Sequence, residues 1–162
     1  VLSAQAMAQT SIAIVDVEKV LTEAKASKAL NKKRADARET FLASLTKQEQ
    51  ELREEGKALF EKRNELSEEE FVQQQKDYEA KLLEVRKMTQ KQKRNFEQAS
   101  AKALSKLQDH LAEIVRSIAD EKEYGLVISN RDVIAGEKSL DITDDVIKAM
   151  DDKKIKISFD VK

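Results

Sequence analysis

The sequence predicts a mostly α-helical α+β fold, in which a long antiparallel helical hairpin extends from a small β body built from both chain ends. Residues 18–123 contain a single glycine, and the whole chain contains no proline, which is typical of long helices or coiled coil. Apolar residues recur every seven positions in this middle part. Short β-branched runs stand at residues 12–17 and 126–135.

Composition excludes several classes of protein. Charged residues make up 38% of the chain and aromatic residues 4%, which is too polar for one compact globule. Hydrophobic residues reach 40%, which is too many for a disordered chain. The formal charge of −1 argues against a nucleic-acid-binding polycation, and the absence of cysteine excludes disulfides and thiolate metal sites.

The first ten residues, V-L-S-A-Q-A-M-A-Q-T, carry small residues at alternate positions after an apolar stub. This pattern is typical of a signal-peptide cleavage site, so export with cleavage near Ala6 or Ala8 is expected. The alternative is a frayed, disordered tail. The sequence contains no run of 18 apolar residues, so no membrane-spanning helix is predicted.

The first strand is predicted over 12–17 and the first long helix from Glu18 to Arg63. Gly56 lies inside this helix, where it is either a flex point of the arm or a tolerated glycine. Residues 64–67 break the pattern and predict the hairpin tip. Ser67 and Glu70 form a capping-box motif, so a second helix is predicted from residue 68 to about Glu123. The short connection makes the two helices antiparallel neighbours.

After the second helix, Gly125 is predicted to serve as the helix-ending C′ residue. Strands are predicted at 126–128 and 133–135, with a turn at 130–132. Asp141 and Thr143 are predicted to cap a short helix over 144–150. Residues 155–161 alternate strictly between apolar and polar and predict a final edge strand.

These elements divide the chain into a tail at 1–10, a β body at 11–17 and 124–162, and a helical arm at 18–123. A body this small buries too little surface to support such a hairpin alone, so oligomerisation is expected. Its core and oligomer contacts are predicted at Ile12, Ile14, Leu104, Leu107, Leu111, Ile114, Ile118, Leu126, Ile128 and Val133.

Two surfaces of the arm are candidates for binding. The first, the apolar seam, consists of Phe41, Leu45, Leu52, Leu59, Phe71, Tyr78, Leu82 and Val85. These residues either zip the two helices together or leave a thin apolar stripe that holds unfolded chains weakly at many points. The second, the basic patch, consists of Lys81, Arg86, Lys87, Lys91, Lys93 and Arg94. It is either a site for phosphates or acidic client segments, or a solvated face balanced by the neighbouring helix.

No catalytic chemistry is predicted. His110 is the only histidine and is expected to be a solvated surface residue. Asp141, Thr143 and Asp145 resemble the start of an EF-hand loop, but Val146 stands where that loop needs glycine. The phosphate-binding, zinc-protease and nucleophile-elbow motifs are missing. We therefore expect neither an enzyme nor a metal or other cofactor.

Several motifs resemble one family. I-A-I-V-D-V-E-K-V-L at 12–21 is similar to the opening strand of Skp (OmpH-like) periplasmic chaperones. Y-G-L-V-I-S-N-R-D-V-I-A-G at 124–136 and L-D-I-T-D-D-V-I-K-A-M at 140–150 resemble the closing segments of the same family. The resemblance extends over roughly residues 10–151; the tail from about residue 152 exceeds it.

The resemblance implies a homotrimer whose three helical arms enclose unfolded outer-membrane β-barrel proteins without ATP. An anionic lipid surface is a further possible partner, although Gln98 and Ala99 stand where the family's basic lipid-binding pair is expected. Two alternatives remain open at this stage: a structural coiled-coil tether of the cell envelope, and a prefoldin-like cytosolic chaperone.

Overall fold

The computed structural model describes residues 10–162, so the predicted signal-peptide remnant lies largely outside the described residues. The chain divides into two compact units. The core unit contains the residues up to Lys32 together with Lys102–Ser158, and the arm unit contains Lys33–Ala101 together with Phe159–Lys162. The core unit therefore includes one end of each long helix, which the sequence analysis had placed entirely in the arm.

A two-stranded parallel sheet forms in the core unit. Strand β1 (Ser11–Val15) pairs with β2 (Tyr124–Ser129), with Ile12 opposite Leu126 and Ile14 opposite Ile128. Parallel strands need a long crossover between them, and here the crossover is the helical part of the chain. The sheet thus joins segments that are more than one hundred residues apart in sequence.

Two of the predicted strands do not form. Residues 133–135 and 155–161 have no regular secondary structure. A β-strand is stabilised by ladder hydrogen bonds to a neighbour, and neither segment has a strand partner among the described residues. Instead, the Ile142 amide donates to the Ile14 carbonyl oxygen over 2.9 Å, which adds one bridge to β1. The predicted turn at 130–132 is present as a 3₁₀ turn, Asn130–Asp132.

The first predicted helix is broken near its start. Asp16 caps α1 (Val17–Glu23) by accepting from the Lys19 amide over 2.8 Å. Ala24 then adopts an extended ψ of 145°, and α2 follows over Lys25–Glu61. The buried Ser27 hydroxyl donates to the Val20 carbonyl oxygen over 3.0 Å and fixes this elbow. The sequence analysis missed the break because neither glycine nor proline marks it.

Helix α4 (Thr143–Asp152) packs on α1 and β1. The Asp141 carboxylate accepts from both the amide and the hydroxyl of Thr143, at 2.8 and 2.5 Å. The Thr143 hydroxyl oxygen in turn accepts from the Asp16 amide over 2.9 Å. Asp141 therefore accepts from the first amide of α4, but the N-cap residue is Ile142, which makes no side-chain cap hydrogen bond, and Thr143 is the first helical residue. Thr143 also anchors the end of β1, which the sequence did not suggest.

Helix α3 (Glu68–Glu121) ends differently from the prediction. Glu123, rather than Gly125, adopts the positive φ of 57° that turns the chain out of the helix. Gly125 lies within β2, where a Cβ atom would collide with the Thr10 side chain. A side chain at residue 125 would therefore force the Thr10 side chain to move.

The core unit contains all fifteen buried hydrophobic side chains of the described chain. Among the predicted core residues, four in α3 are buried: Leu107, Leu111, Ile114 and Ile118. Ile14, Ile128 and Val133 are half-buried. Ile12, Leu104 and Leu126 are exposed, so they do not belong to the core of a single chain. Ile12 and Leu126 lie opposite each other in the sheet, and Leu104 lies in α3.

The arm unit consists of helical segments of α2 and α3 joined by a tight connection. Helix α2 ends at Glu61, a 3₁₀ turn covers Lys62–Asn64, and α3 begins at Glu68. The predicted capping box is confirmed: the Glu70 carboxylate accepts from the Ser67 amide over 3.0 Å, and the Glu70 amide donates to the Ser67 hydroxyl oxygen over 3.3 Å.

Candidate functional site

The two helices of the arm unit run antiparallel. Their contacts join Arg34 to Ser100 at 3.4 Å and Glu55 to Lys81 at 2.5 Å, so residue numbers fall on one helix as they rise on the other. Near the tip, the Tyr78 ring lies against Gly56, where a Cβ atom would come within 2.6 Å of the Tyr78 hydroxyl. Glycine at residue 56 therefore allows the Tyr78 ring to pack closely against the helix backbone.

All eight residues of the apolar seam are half-buried. None is fully enclosed, and none is freely exposed. The seam side chains can therefore pack between the two helices and still present part of their surface to solvent. Both interpretations, a zipper between the helices and an accessible apolar stripe, agree with this burial.

A second set of apolar residues was missed by the sequence analysis. Six large hydrophobic residues of the arm unit are exposed. Four of them directly follow a seam residue: Leu42, Phe60, Val72 and Leu83. Adjacent residues are about 100° apart around a helix, so only one of each pair can face the other helix. The second must point outwards, and Phe60 is accordingly 72% exposed. The signal in the sequence was the apolar doublet itself: F-L, L-F, F-V and L-L.

The seam residues line shallow grooves along the arm unit. One groove of about 430 Å³ brings together Leu45, Leu52, Leu82 and Val85 with Arg86 of the basic patch. Other grooves contain Leu59 and Tyr78 beside Lys81, and Phe71 and Phe60 beside Arg63. A fourth groove, of about 320 Å³, is lined by Arg38, Phe41, Leu42, Lys93, Phe96 and Glu97. Each groove therefore combines apolar side chains with at least one cation.

The six residues of the basic patch are all exposed. Lys81 is paired with Glu55, and this ion pair raises the pKa of Lys81. Lys93 lies 4.0 Å from Glu97 on the same helix. Within the part of the chain that the structure describes, Arg86, Lys87, Lys91 and Arg94 form no ion pair. Neighbouring acidic residues thus balance only part of the patch.

The C-terminal residues contact the arm unit. The rings of Phe96 and Phe159 meet edge to face, with centroids 5.8 Å apart and planes at 82°. The Asn95 amide group donates to the main-chain oxygen of Lys162. The sequence analysis did not foresee these contacts, because it placed residues 155–161 in the β body and gave Phe96 no binding role.

The described residues form neither a metal site nor a membrane-spanning helix. Among residues 10–162, no group of three or more His, Cys, Asp and Glu side chains is placed to hold a metal ion. His110 is partly exposed on α3, 3.6 Å from Glu113. In the described part of the chain, every helix is either too short or too polar to cross a bilayer.

Comparison with known proteins agrees with this architecture. The chain is similar over its whole length to a solved structure from Caulobacter crescentus CB15, described as an OmpH-like outer membrane chaperone. The TM-score is 0.89 at 21% sequence identity, and the match covers 100% of this chain and 96% of the other. At this identity the likeness establishes the fold.

Sequence comparison adds the family. No curated protein sequence matches the chain. The profile of the family described as "Outer membrane protein (OmpH-like)" matches residues 11–150, which include β1, both long helices, β2 and most of α4. The chain therefore belongs to the OmpH-like family.

Proposed function

We propose that this protein is a periplasmic holdase chaperone, which binds unfolded outer-membrane β-barrel proteins and prevents their aggregation before membrane insertion. The observation that carries the proposal is the set of apolar doublets along the arm unit. Each doublet leaves one large hydrophobic side chain exposed, while its seam residue lines a groove that also contains a cation.

This surface suits weak binding at many points. The four grooves are shallow, and three of them adjoin, because Tyr78 and Leu82 each line two of them. Each groove can therefore hold only a few side chains of an unfolded segment. Several weak contacts on one chain give useful overall affinity through high effective concentration, while each contact can still break by itself. Release then needs no energy source, which fits an ATP-independent holdase.

Client chemistry fits the same surface. Strands of outer-membrane barrels alternate between apolar and polar residues, so an unfolded client presents isolated apolar side chains rather than long apolar runs. The exposed basic patch would attract acidic client segments at long range, because its cations outnumber the acidic residues around them. One of these cations, Arg86, lines the groove that contains Leu82 and Val85.

Self-association is part of the proposal. Ile12 and Leu126 are opposite each other in the parallel sheet and are both exposed, and Ile134 is fully exposed nearby in sequence to β2. Burying these side chains between copies would remove an apolar surface from water. We propose a homotrimer, as the family resemblance implies, with client segments held between the arms.

Light scattering tests the proposal. A urea-unfolded outer-membrane β-barrel protein is diluted into buffer with and without this protein, in the absence of ATP. We expect suppressed aggregation from the wild-type protein and weaker suppression from the triple variant Phe60→Gln, Val72→Gln, Leu83→Gln. The matched control carries glutamine at three exposed alanines of the arm unit, Ala43, Ala80 and Ala101, and should retain wild-type suppression.

The outcomes separate the alternatives. Full aggregation in the presence of a folded, oligomeric wild-type protein would refute the holdase function and favour an envelope tether. Equal loss in both triple variants would show that the doublets are not the binding surface. Family membership already favours an OmpH-like chaperone over a prefoldin-like one, and detection of the protein in a periplasmic extract would test the location.

A further inference from the structure

The C-terminal tail of the chain rests on the arm. Residues Phe159–Lys162 belong to the arm unit, where Phe159 packs edge to face on Phe96 and the main-chain oxygen of Lys162 accepts from Asn95. Phe96 also lines the groove of about 320 Å³ that contains Phe41 and Leu42. A tail residue thus shares its aromatic partner with one of the proposed client-binding grooves.

The tail lies outside the region that defines the family. The family match ends at residue 150, and α4 ends at Asp152. Residues 153–162 therefore lie outside the part of the chain that the family profile matches. The contacts of Phe159 and Lys162 within the arm unit are not part of that profile.

The tail has the residue pattern of the proposed clients. Ile155, Ile157, Phe159 and Val161 alternate with polar or charged residues. The burial follows the alternation, because Ile155, Ile157 and Phe159 are at least half-buried while Lys156, Ser158 and Asp160 are exposed. Alternation with a period of two is typical of half-buried β-strands in general, including transmembrane β-strands. The chain thus carries a short segment that resembles an unfolded outer-membrane strand.

We infer that the groove containing Phe41 and Phe96 is a client-binding site, and that residues 159–162 act as a built-in competitor for it. This inference rests on the proposed holdase function. The tail shields the Phe96 ring when no client is present, and an unfolded segment with the same alternating pattern displaces it. The partner is thus defined as an alternating apolar–polar segment that carries an aromatic residue.

A tethered competitor should lower the apparent client affinity by a measurable factor. A segment on a short linker has an effective concentration in the millimolar range, so even a weak contact is occupied much of the time. The apparent client affinity falls by the fraction of molecules in which the site is free. Removing the Phe159 ring should therefore tighten client binding at this groove by about two- to tenfold.

The first experiment measures client affinity directly. A urea-unfolded outer-membrane β-barrel protein with one fluorophore is titrated with the full-length protein or its variants. We expect tighter binding by Phe159→Ala and weaker binding by Phe96→Ala. The control Lys156→Ala, at an exposed tail residue outside 159–162, should leave binding unchanged. The double variant Phe96→Ala, Phe159→Ala should bind no more tightly than Phe96→Ala, because the tail then has no site from which to exclude the client.

The second experiment follows the tail itself. The chain contains no tryptophan, so Phe159→Trp provides a single fluorescence reporter. We expect its emission to shift to the red when a tryptophan-free client is added. In a Phe96→Ala background the emission should already be red-shifted, and the client should add nothing further.

A synthetic peptide of residues 154–162 distinguishes failure of this inference from failure of the holdase function. Phe96-dependent binding of the peptide to Phe159→Ala, without client binding by any variant, would support tail recognition and refute the proposed function. Equal client binding by the wild-type protein and a correctly folded Phe159→Ala variant would overturn the built-in competitor while leaving the holdase function intact. A reporter that does not respond to bound client would also overturn it.

Discussion

The core unit and the arm unit are stabilised in different ways. The core unit contains every buried hydrophobic side chain of the described chain, and its polar contacts join distant residues, such as Asp16 with Thr143 and Lys25 with Asp151. The arm unit has no buried residue in its described part, and many of its polar contacts are one helical turn apart, such as Lys47 with Glu51. Local contacts of this kind stabilise a helix without covering its surface. The comparison shows how a long helix pair can remain folded while its apolar side chains stay accessible.

The largest expected effect tests this difference in packing. Leu107→Ala in the core unit should lower the free energy of unfolding by about 2–5 kcal/mol, because Leu107 is only 1% exposed and its removal leaves a cavity. Leu52→Ala on the half-buried seam should cost about 1 kcal/mol or less. Urea unfolding at a fixed protein concentration measures both variants. Equal losses would show that the seam is as tightly packed as the core.

The second prediction compares one carboxylate from each unit under acid. Hydrogen bonds from the Thr143 hydroxyl and amide lower the pKa of Asp141, and those from Ser67 lower the pKa of Glu70. A lowered folded-state pKa gives stability that is present above the unfolded-state pKa and lost as the pH falls through the folded-state pKa. Asp141→Asn should therefore be less stable than wild type by about 1 kcal/mol at pH 7, with the gap closing below about pH 4.

Glu70→Gln provides the arm counterpart of this experiment. We expect the same sign and a smaller effect, because Glu70 caps an exposed helix end, whereas Asp141 also positions Thr143 against β1. Urea unfolding between pH 7 and pH 3 measures both variants. A stability gap for Asp141→Asn that stays constant over this range would contradict the charge-dependent role of the Asp141 carboxylate.

The third prediction concerns the charges of the arm. Lys87→Glu with Lys91→Glu should weaken client capture by about two- to fivefold at low salt, because both side chains are exposed in a region of net positive charge. The matched control Lys47→Glu with Lys57→Glu makes the same charge change elsewhere on the arm and should have a smaller effect. The difference should fade as salt screens the patch. Sedimentation should show the same oligomer for both variants, and equal capture at low salt would remove the patch from the mechanism.

The smallest expected effect is at Gly56. Replacing glycine by alanine inside a helix usually gains about 1 kcal/mol, but here the new Cβ atom would displace the Tyr78 ring. Gly56→Ala should therefore change the free energy of unfolding by less than about 1 kcal/mol, and should stabilise more in a Tyr78→Ala background. A double-mutant cycle measures this coupling. Additive effects would mean that the Tyr78 ring does not restrict residue 56.

Local signals in the sequence predicted much of the fold. The heptad spacing predicted the helices, Ser67 with Glu70 predicted the start of α3, and Asp141 with Thr143 predicted the start of α4. These signals succeed because each depends on residues within one or two helical turns. The predicted seam and basic patch also lie together along the arm unit, and Arg86 shares a groove with four seam residues.

Features that depend on distant partners could not be predicted in the same way. The elbow at Ala24 is stabilised partly by Asp151, which accepts from the Lys25 amide. The segments at 133–135 and 155–161 have strand-like sequences, but a strand also needs an adjacent edge. The contact between Phe159 and Phe96 joins residues that no sequence pattern links. The outward doublet residues could have been predicted, because two adjacent apolar residues cannot both face one partner helix.

The parallel pairing of β1 with β2 has a consequence for the order of folding. Ser11 pairs with Tyr124, so the sheet cannot close until more than one hundred residues after β1 are available. Contacts between such distant residues form slowly, because a long loop must be closed before they contribute stability. The helix pair, whose contacts begin at the tip, can form first and bring the two strands together. During synthesis or translocation from the N-terminus, β1 would therefore remain an unpaired strand until β2 emerges, so this protein would itself pass through an aggregation-prone stage.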